Sequence, residues 1–366
     1  MMRMLLLLAA SFVSLVATLL VVHSAKVHGL ASLDHDMSGP QKFHARPVPR
    51  VGGVGIVAGL VVAMALALVA NAESAQLGWW LLLCSAPAFV AGVAEDLTKN
   101  VSPRRRLFFT AVSAALAVWL LDVSIHRTGI PGLDWLVAFP IGAAVVTVFA
   151  VAGVANAVNI IDGFNGLASM CAMLILGSVA YVAYQAGDPV LGLLCLAGIG
   201  AVLGFFVWNF PAGMIFLGDG GAYFLGFFIA EVAILLLNRN PDVSPMFPLL
   251  VCMYPIFETI FSIYRKKFIR GMSPGVPDGV HFHMLVYRRL MRWAVGNREA
   301  KALTRRNSMT SPYLWAVCMS SVVPAVIFWN NTPVLLGFIV LFAFSYVFMY
   351  WRIVRFKTPR WMIYRR

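Results

Sequence analysis

The sequence predicts an all-α, polytopic membrane protein with about eleven transmembrane helices, and three observations carry that reading. Of 366 residues, 61% are hydrophobic and only 12% charged, whereas a soluble domain carries about 25% charged residues. Mean hydropathy is +0.84. The apolar runs cluster near twenty residues, the length a helix needs to cross about 30 Å of hydrocarbon, and they lack the ten-residue alternation of a membrane barrel.

Taken in order, the runs are 4–22, 52–70, 78–94, 107–125, 135–155, 167–184, 190–208, 222–237, 246–264, 312–329 and 334–351. The connection before the second run is rich in proline and basic residues and reads as extended chain, because proline removes an amide donor and restricts its predecessor. The sequence Asn209-Phe210-Pro211 ends the seventh run. The longest polar connection, about 265–310, leaves no room for a soluble domain, so residues 1–366 read as one integral-membrane domain. Five single cysteines (Cys84, Cys171, Cys195, Cys252 and Cys318) lie inside apolar runs and read as small buried residues rather than ligands or disulfides.

Eleven crossings place the termini on opposite faces, and basic residues assign the faces. All 28 Lys and Arg except Arg3, Arg127 and Arg239 fall on one side. Lys/Arg-rich loops are cytoplasmic, which predicts an outside N-terminus, a cytoplasmic C-terminus, and cytoplasmic loops at about 23–50, 95–106, 156–166, 209–221 and 265–310. Reading the first run as a cleaved signal peptide would invert every later loop, so it is read as a span. The net charge of +13 is therefore a topology signal and does not point to nucleic acid.

Four polar stretches sit where apolar runs end on that face: 95–99 (EDLTK), 156–166 (NAVNIIDGFNG), 216–221 (FLGDGG) and 278–283 (DGVHFH). A carboxylate at the end of a span costs a few kcal/mol unless it meets water, a partner or a metal. Asp-Gly and Gly-Asp-Gly-Gly are ordinary turn sequences taken singly, and His-x-His is an ordinary interfacial pair. Their gathering on one face with Glu95, Asp96, Asp162, Asp219, His281 and His283 is what a cytoplasmic active site requires. Acids among Lys and Arg suit Mg²⁺ with phosphate, since Mg²⁺ is held by one or two carboxylates plus substrate phosphates. Glu231 and Glu258, inside runs, are expected to be partners for helix or arginine contacts.

These stretches, together with 40–53 (PQKFHARPVPRVGG), resemble in order and placement the polyprenyl-phosphate N-acetylhexosamine-1-phosphate transferases, over about residues 1–350. The branch that starts O-antigen and related glycans is the nearer one, and the muramoyl-pentapeptide translocases of peptidoglycan synthesis are the alternative. The resemblance implies transfer of HexNAc-1-phosphate from a UDP-N-acetyl sugar to undecaprenyl phosphate, releasing UMP, at the bacterial inner membrane. It implies Mg²⁺ as the ion, with Mn²⁺ as the alternative, and a homodimer in keeping with the wider family. It assigns catalysis to Glu95, Asp96, Asp162, His281 and His283, and metal binding to Asp96, Asp162 and Asp219. It assigns substrate binding to Lys42, Lys99, Asn159, Asn165, Asn209 and Phe216, the last as a face for the base. Three positions depart from the pattern: Glu95 replaces an Asp, Asn165 stands where many members have Asp, and Met284 where many have a further His.

Two other classes fit less well. A transporter of polyprenyl lipid or anions would line a midplane path with polar groups and broken helices, whereas only Glu231 and Glu258 lie deep in runs. A CDP-alcohol phosphotransferase would need an Asp-rich run that the sequence lacks.

Overall fold

In the computed structural model, residues 2–28, 48–70, 72–273, 279–291 and 300–355 are described. The helices, in chain order, are α1 (Met2–His28), α2 (Gly52–Val69), α3 (Ser74–Thr98), α4 (Pro103–Leu121), α5 (Pro131–Val137), α6 (Pro140–Ile161), α7 (Leu167–Gln185) and α8 (Pro189–Asn209). They continue as α9 (Gly218–Arg239), α10 (Met246–Val251), α11 (Met253–Tyr264), α12 (Phe282–Leu285), α13 (Ala300–Ile327) and α14 (Thr332–Val354). Single π-helical turns, 265–269 and 286–290, extend α11 and α12.

Local sequence explains several helix starts. Ser102, Asp188 and Asn331 each precede a helix with proline in its first turn, and each side-chain oxygen accepts an amide of that turn: Arg105 N at 3.4 Å, Leu191 N at 3.1 Å and Val334 N at 3.2 Å. Such caps satisfy donors that have no partner within the helix, and proline at the first position loses nothing there.

Among the described residues, nine helices are long and apolar enough to cross a membrane: α1, α2, α3, α6, α7, α8, α9, α13 and α14. Two of the eleven expected runs differ. The fourth lies on α4, whose first turn carries Arg104, Arg105 and Arg106 and leaves too short an apolar stretch. The ninth is broken at Cys252 into α10 and α11. Pro255, lacking an amide hydrogen, cannot bond back to Val251 across that break. The fifth run begins later than expected, since the short α5 and Pro140 separate residues 131–137 from the continuous α6.

Helix α9 is the axis of the fold. Residues 218–237 are all buried, against α3, α6, α2, α7 and α8. Small residues let these backbones meet. A β-carbon on Gly53 would lie 2.4 Å from the Gly221 backbone, one on Gly92 2.5 Å from Gly220, and one on Gly226 2.4 Å from Ala155. Membrane helices associate through such close packing because lipid supplies no hydrophobic drive between them.

The segment before α2 runs alongside the segment before α9. Phe216 N donates to Pro49 O at 2.9 Å, Gly52 N to Phe216 O at 3.0 Å, and Gly53 N to Leu217 O at 3.0 Å. This two-segment clamp, with the glycine contacts of α2 and α3, brings Arg50, Asp96 and Asp219 to one end of the bundle.

Substituting Gly53→Ala should therefore lower the melting temperature of the detergent-solubilised protein, because rigid backbone blocks relief; overpacking of this kind costs about 1–3 kcal/mol. Gly153→Ala on α6, where a β-carbon meets nothing within 4 Å, should leave it unchanged. Equal melting temperatures for both variants would contradict the packing described.

Candidate active site

At that end of the bundle lies a polar cavity of about 370 Å³. Four regions build it. The end of α3 contributes Glu95, the end of α6 contributes Asn159 and Asp162, the start of α9 contributes Asp219, and the start of α12 contributes His281, its N-cap, and His283, in its first turn. Arg50, from the clamp, and Arg106, from the first turn of α4, complete its charged lining.

Asp219 is held from three sides. Arg106 pairs with its Oδ2, Asn159 Nδ2 donates to Oδ1 at 2.9 Å, and Arg50 Nη2 lies 3.6 Å from Oδ1. It also stands in the first turn of α9, where the partial positive charge of the helix end favours an anion.

Asp96 is placed differently. It is fully buried, and its two oxygens accept the amides of Asp219 at 2.9 Å and Gly220 at 3.0 Å. Its carboxylate thus caps α9 from behind. Gly218 makes this possible: at φ +77° it adopts a conformation glycine tolerates, and a β-carbon there would lie 1.8 Å from Arg50 O and 2.5 Å from Asp96 Oδ2.

Asp162 caps the C-terminal end of α6 and faces the cavity, partly exposed. Burial pushes its carboxyl up to about 7, against the pull of Arg50. Those two influences act on it without a hydrogen-bond donor among the described residues.

The expected metal set of Asp96, Asp162 and Asp219 does not assemble. Among the described residues no three acid, His or Cys side chains come close enough to hold an ion together. The reason is Asp96, whose oxygens are committed to backbone amides and which does not line the cavity. Asp162 and Asp219 both line it. Two carboxylates with open space for phosphate oxygens and water match the donor set that Mg²⁺ takes.

The remaining residues expected from sequence divide clearly. Glu95, Asn159, Asn209, Phe216, His281 and His283 line the cavity. Glu95 also accepts the amide of Val101 at 2.7 Å, so one of its oxygens braces the α3–α4 turn. Lys99 is exposed at the left-handed end of α3, outside the cavity lining. Lys42 lies outside the described residues.

Asn165, expected at the substrate, is instead buried in the scaffold. Its amide nitrogen donates to Ser308 Oγ at 3.1 Å, its backbone N to Asn307 Oδ1 at 2.8 Å, and its carbonyl accepts from Ser311 at 2.6 Å. Asn209 is similarly engaged: Oδ1 accepts from Gly166 N at 2.6 Å and Nδ2 donates to Ile215 O at 2.7 Å. Both asparagines tie the loop after α6 to neighbouring segments, work that contact-blind reading of polar residues cannot separate from ligand binding.

The cavity also contains residues that sequence reading had not assigned to the site. Arg50 and Phe164 stood inside the 40–53 and 156–166 stretches without a role of their own, and Asn307 had none at all. The tight motif around residue 52 was the available signal for Arg50; nothing local marks Asn307, which reaches the site from α13, some 140 residues after Asp162. Of the two deep glutamates, Glu258 binds His281. Glu231 is fully buried where α9 packs among its neighbouring helices, and its oxygens find no hydrogen-bond partner among the described residues, so the expected arginine pairing is not made there.

The profile of glycosyl transferase family 4 matches residues 78–237, a stretch that contains Glu95, Asp96, Asp162 and Asp219. Over that stretch the chain is similar to glycosyl transferase family 4. It is 28% identical over 308 residues to the probable undecaprenyl-phosphate N-acetylglucosaminyl 1-phosphate transferase of Bacillus subtilis, covering 81% of this chain and 80% of that one. It is 28% identical to the undecaprenyl-phosphate alpha-N-acetylglucosaminyl 1-phosphate transferase of Haemophilus influenzae, covering 87% and 88%. Similarity to the phospho-N-acetylmuramoyl-pentapeptide-transferase of Geobacillus kaustophilus, at 31%, extends over 54% of this chain and 64% of that one.

The raised Asp162 carboxyl has a sign that can be checked. Between the ordinary range near 4 and about 7, the folded protein holds a proton the unfolded chain has lost, so this group subtracts stability as pH rises through that window. Asp162→Asn, without divalent ions, should melt higher than the parent at pH 8 by about 1 kcal/mol or more. The gap should close as pH falls toward 4. A gap independent of pH would contradict this placement of Asp162.

Proposed function

We propose that the protein transfers HexNAc-1-phosphate from a UDP-N-acetyl sugar to undecaprenyl phosphate, giving undecaprenyl-diphosphate-HexNAc and UMP. The observation that carries the reading is the convergence of Asp162, Asp219, His281 and His283 with Arg50 and Arg106 around one cavity at the ends of apolar helices. The family 4 match over 78–237 and the names of the long-aligned relatives support it. N-acetylglucosamine is the sugar in those names, and they align over a far larger share of the chain than the pentapeptide-transferase does. That difference favours the N-acetylglucosaminyl reading over the muramoyl one. The initiation of an O-antigen-like glycan is the pathway role consistent with it.

Orientation follows the basic loops: we place the cavity at the cytoplasmic face of the inner membrane with the N-terminus outside. The acceptor phosphate then meets the donor at the interface, its lipid tail remaining in the bilayer.

Two anions must approach each other, so the protein's task is to cancel repulsion and align the reacting atoms. Arg50 and Arg106 supply fixed positive charge beside Asp219. Asp162 and Asp219 would hold Mg²⁺, which supplies Lewis-acid stabilisation of the diphosphate when bound. An acceptor phosphate oxygen attacks the phosphorus attached to the sugar; the new P–O bond forms as the bond to UMP breaks. The acceptor is largely dianionic at neutral pH, since phosphate monoesters have a second pKa near 6, so no strong base is required. The placement of Asp96 supports direct attack over a covalent phosphosugar on that residue, because both its oxygens already accept backbone amides.

The test is UMP release from a panel of UDP-N-acetyl sugars with undecaprenyl phosphate. Release should need both substrates and Mg²⁺, and stop with chelator; release with none of the sugars would overturn the reading. Asp219→Asn should lower the rate by about 100-fold or more, the usual scale for losing one electrostatic group of an active site, and also lower the melting temperature, because the largely buried Arg106 loses its charged partner. Asp96→Asn should lower both, because an amide nitrogen facing two amide donors leaves buried groups unsatisfied at about 1–3 kcal/mol.

A further inference from the structure

The two carboxylates of the cavity are aimed by different means. Asp219 is gripped through its side chain by Arg106 and Asn159. Asp162 has no such hydrogen bond among the described residues, so its direction follows from the backbone that carries it. That backbone is the turn 162–166, between the end of α6 and the start of α7.

One face of α13 closes on this turn. Asn307, Ser308, Ser311 and Trp315 recur at a spacing that puts them on the same side of the helix. Asn165 donates its backbone N to Asn307 Oδ1 at 2.8 Å and its Nδ2 to Ser308 Oγ at 3.1 Å. Ser311 Oγ donates to Asn165 O at 2.6 Å, and Trp315 Nε1 donates to Gly166 O at 3.0 Å. From the other side, Asn209 Oδ1 accepts from Gly166 N at 2.6 Å. Phe210 fills the space that a β-carbon on Gly166 would need, 2.8 Å away. It packs in turn on Trp315, with ring centroids 5.0 Å apart. Gly166 takes φ +73°, a conformation that glycine adopts without strain.

We propose that α13 is the positioning element of Asp162: Ser311 and Trp315, by holding the carbonyls of Asn165 and Gly166, fix the turn that aims the Asp162 carboxylate at the divalent ion. This rests on the transfer reaction proposed above, with its ion between Asp162 and Asp219. Groups one step behind a metal ligand orient it, and their loss typically costs about 10–100-fold in metal affinity. Both residues lie outside the stretch 78–237 that matches the family profile. A plain packing role for α13 would be served by apolar contacts; these four bonds end on the turn itself.

Mn²⁺ binding to the detergent-solubilised full chain, read by electron paramagnetic resonance without substrates, tests the inference. Ser311→Ala should weaken binding by about threefold or more, the scale of one lost buried hydrogen bond. Trp315→Phe, which keeps a ring against Phe210 and loses the donor, should do the same. Ser321→Ala is the matched control, a buried serine of α13 whose hydroxyl bonds its own helix at Cys318 O, and should bind as the parent does. Asp162→Asn should weaken binding by itself, and adding Ser311→Ala to it should change nothing more, because a residue that acts through another is silent once the other is gone. Parent-like binding by Ser311→Ala or Trp315→Phe would overturn the proposal, as would an equal weakening with and without Asp162. An Asp162→Asn variant that binds like the parent removes Asp162 from the metal site and the proposal with it. Should Ser311→Ala not fold, Trp315→Phe carries the same comparison. Should the parent bind no Mn²⁺, the metal reading fails by itself. In that case, or where Asp162→Asn leaves no binding to measure, a nitroxide on Asp162→Cys decides: a more mobile spectrum with Ser311→Ala upholds the hold on this position, and an unchanged one overturns it.

Discussion

The interaction on which the rest of the site depends is the grip of a buried carboxylate on a helix start. Asp96 takes the amides of Asp219 and Gly220 and thereby couples α3 to the first turn of α9. In a protein interior an unpaired carboxylate and two unpaired amides would each be costly; joined, they satisfy one another. The join also sets direction. With its first turn pinned from behind, α9 presents the Asp219 side chain to the cavity, where Arg106, Arg50 and Asn159 meet it. Close glycine contacts do the rest, since α2 and α3 could not come near enough with β-carbons at Gly53 and Gly92.

Much of this was legible in the sequence, and the parts that were follow from local rules. The apolar runs report helices because, outside a closed barrel whose alternation the sequence lacks, only a helix satisfies its own backbone hydrogen bonds in hydrocarbon. The polar stretches at run ends report a site because such residues are costly there without a purpose. What was not legible is what each polar group touches. Asp96 and Asp219 look equivalent as letters, yet one is turned onto backbone amides and the other onto cations. Asn165 and Asn209 look like ligands and serve as ties. Glu258 looks like a helix contact and turns out to hold a histidine. Each distinction depends on partners 23 to 146 residues away along the chain, beyond the range of spacing arguments. The broken ninth run was readable in principle from Pro248 and Pro255, whose missing amides interrupt a helix, but its apolar composition concealed the break.

The charge arrangement at the cavity explains why acids and bases coexist there. Asp219 is surrounded by fixed positive charge, whereas Asp162 has only Arg50 to offset its burial. The two carboxylates therefore differ in how readily they ionise even though they line the same space. An arriving cation would compete with a proton at Asp162 and with arginines at Asp219. The second competition is productive for the proposed chemistry: an arginine released from Asp219 is a cation already positioned beside an incoming phosphate. Guanidinium groups suit that exchange, since their planar donor fork pairs as well with phosphate as with carboxylate.

Placing the histidine turn on its own support completes the logic of the architecture. The carboxylate wall is built by α3, α6 and α9, all pinned by glycine contacts and capped helix ends. The histidine wall is built by α11 and α14, joined through Glu258, Tyr346 and the Arg265–Tyr350 pair. The two walls meet across the cavity rather than through a shared helix, with Phe164 against His283 at 5.6 Å and Tyr287 at 5.3 Å as the seam. Reacting groups fixed on separate rigid supports can be brought to bear on a diphosphate from opposite sides without either wall deforming, which is the arrangement an in-line displacement calls for.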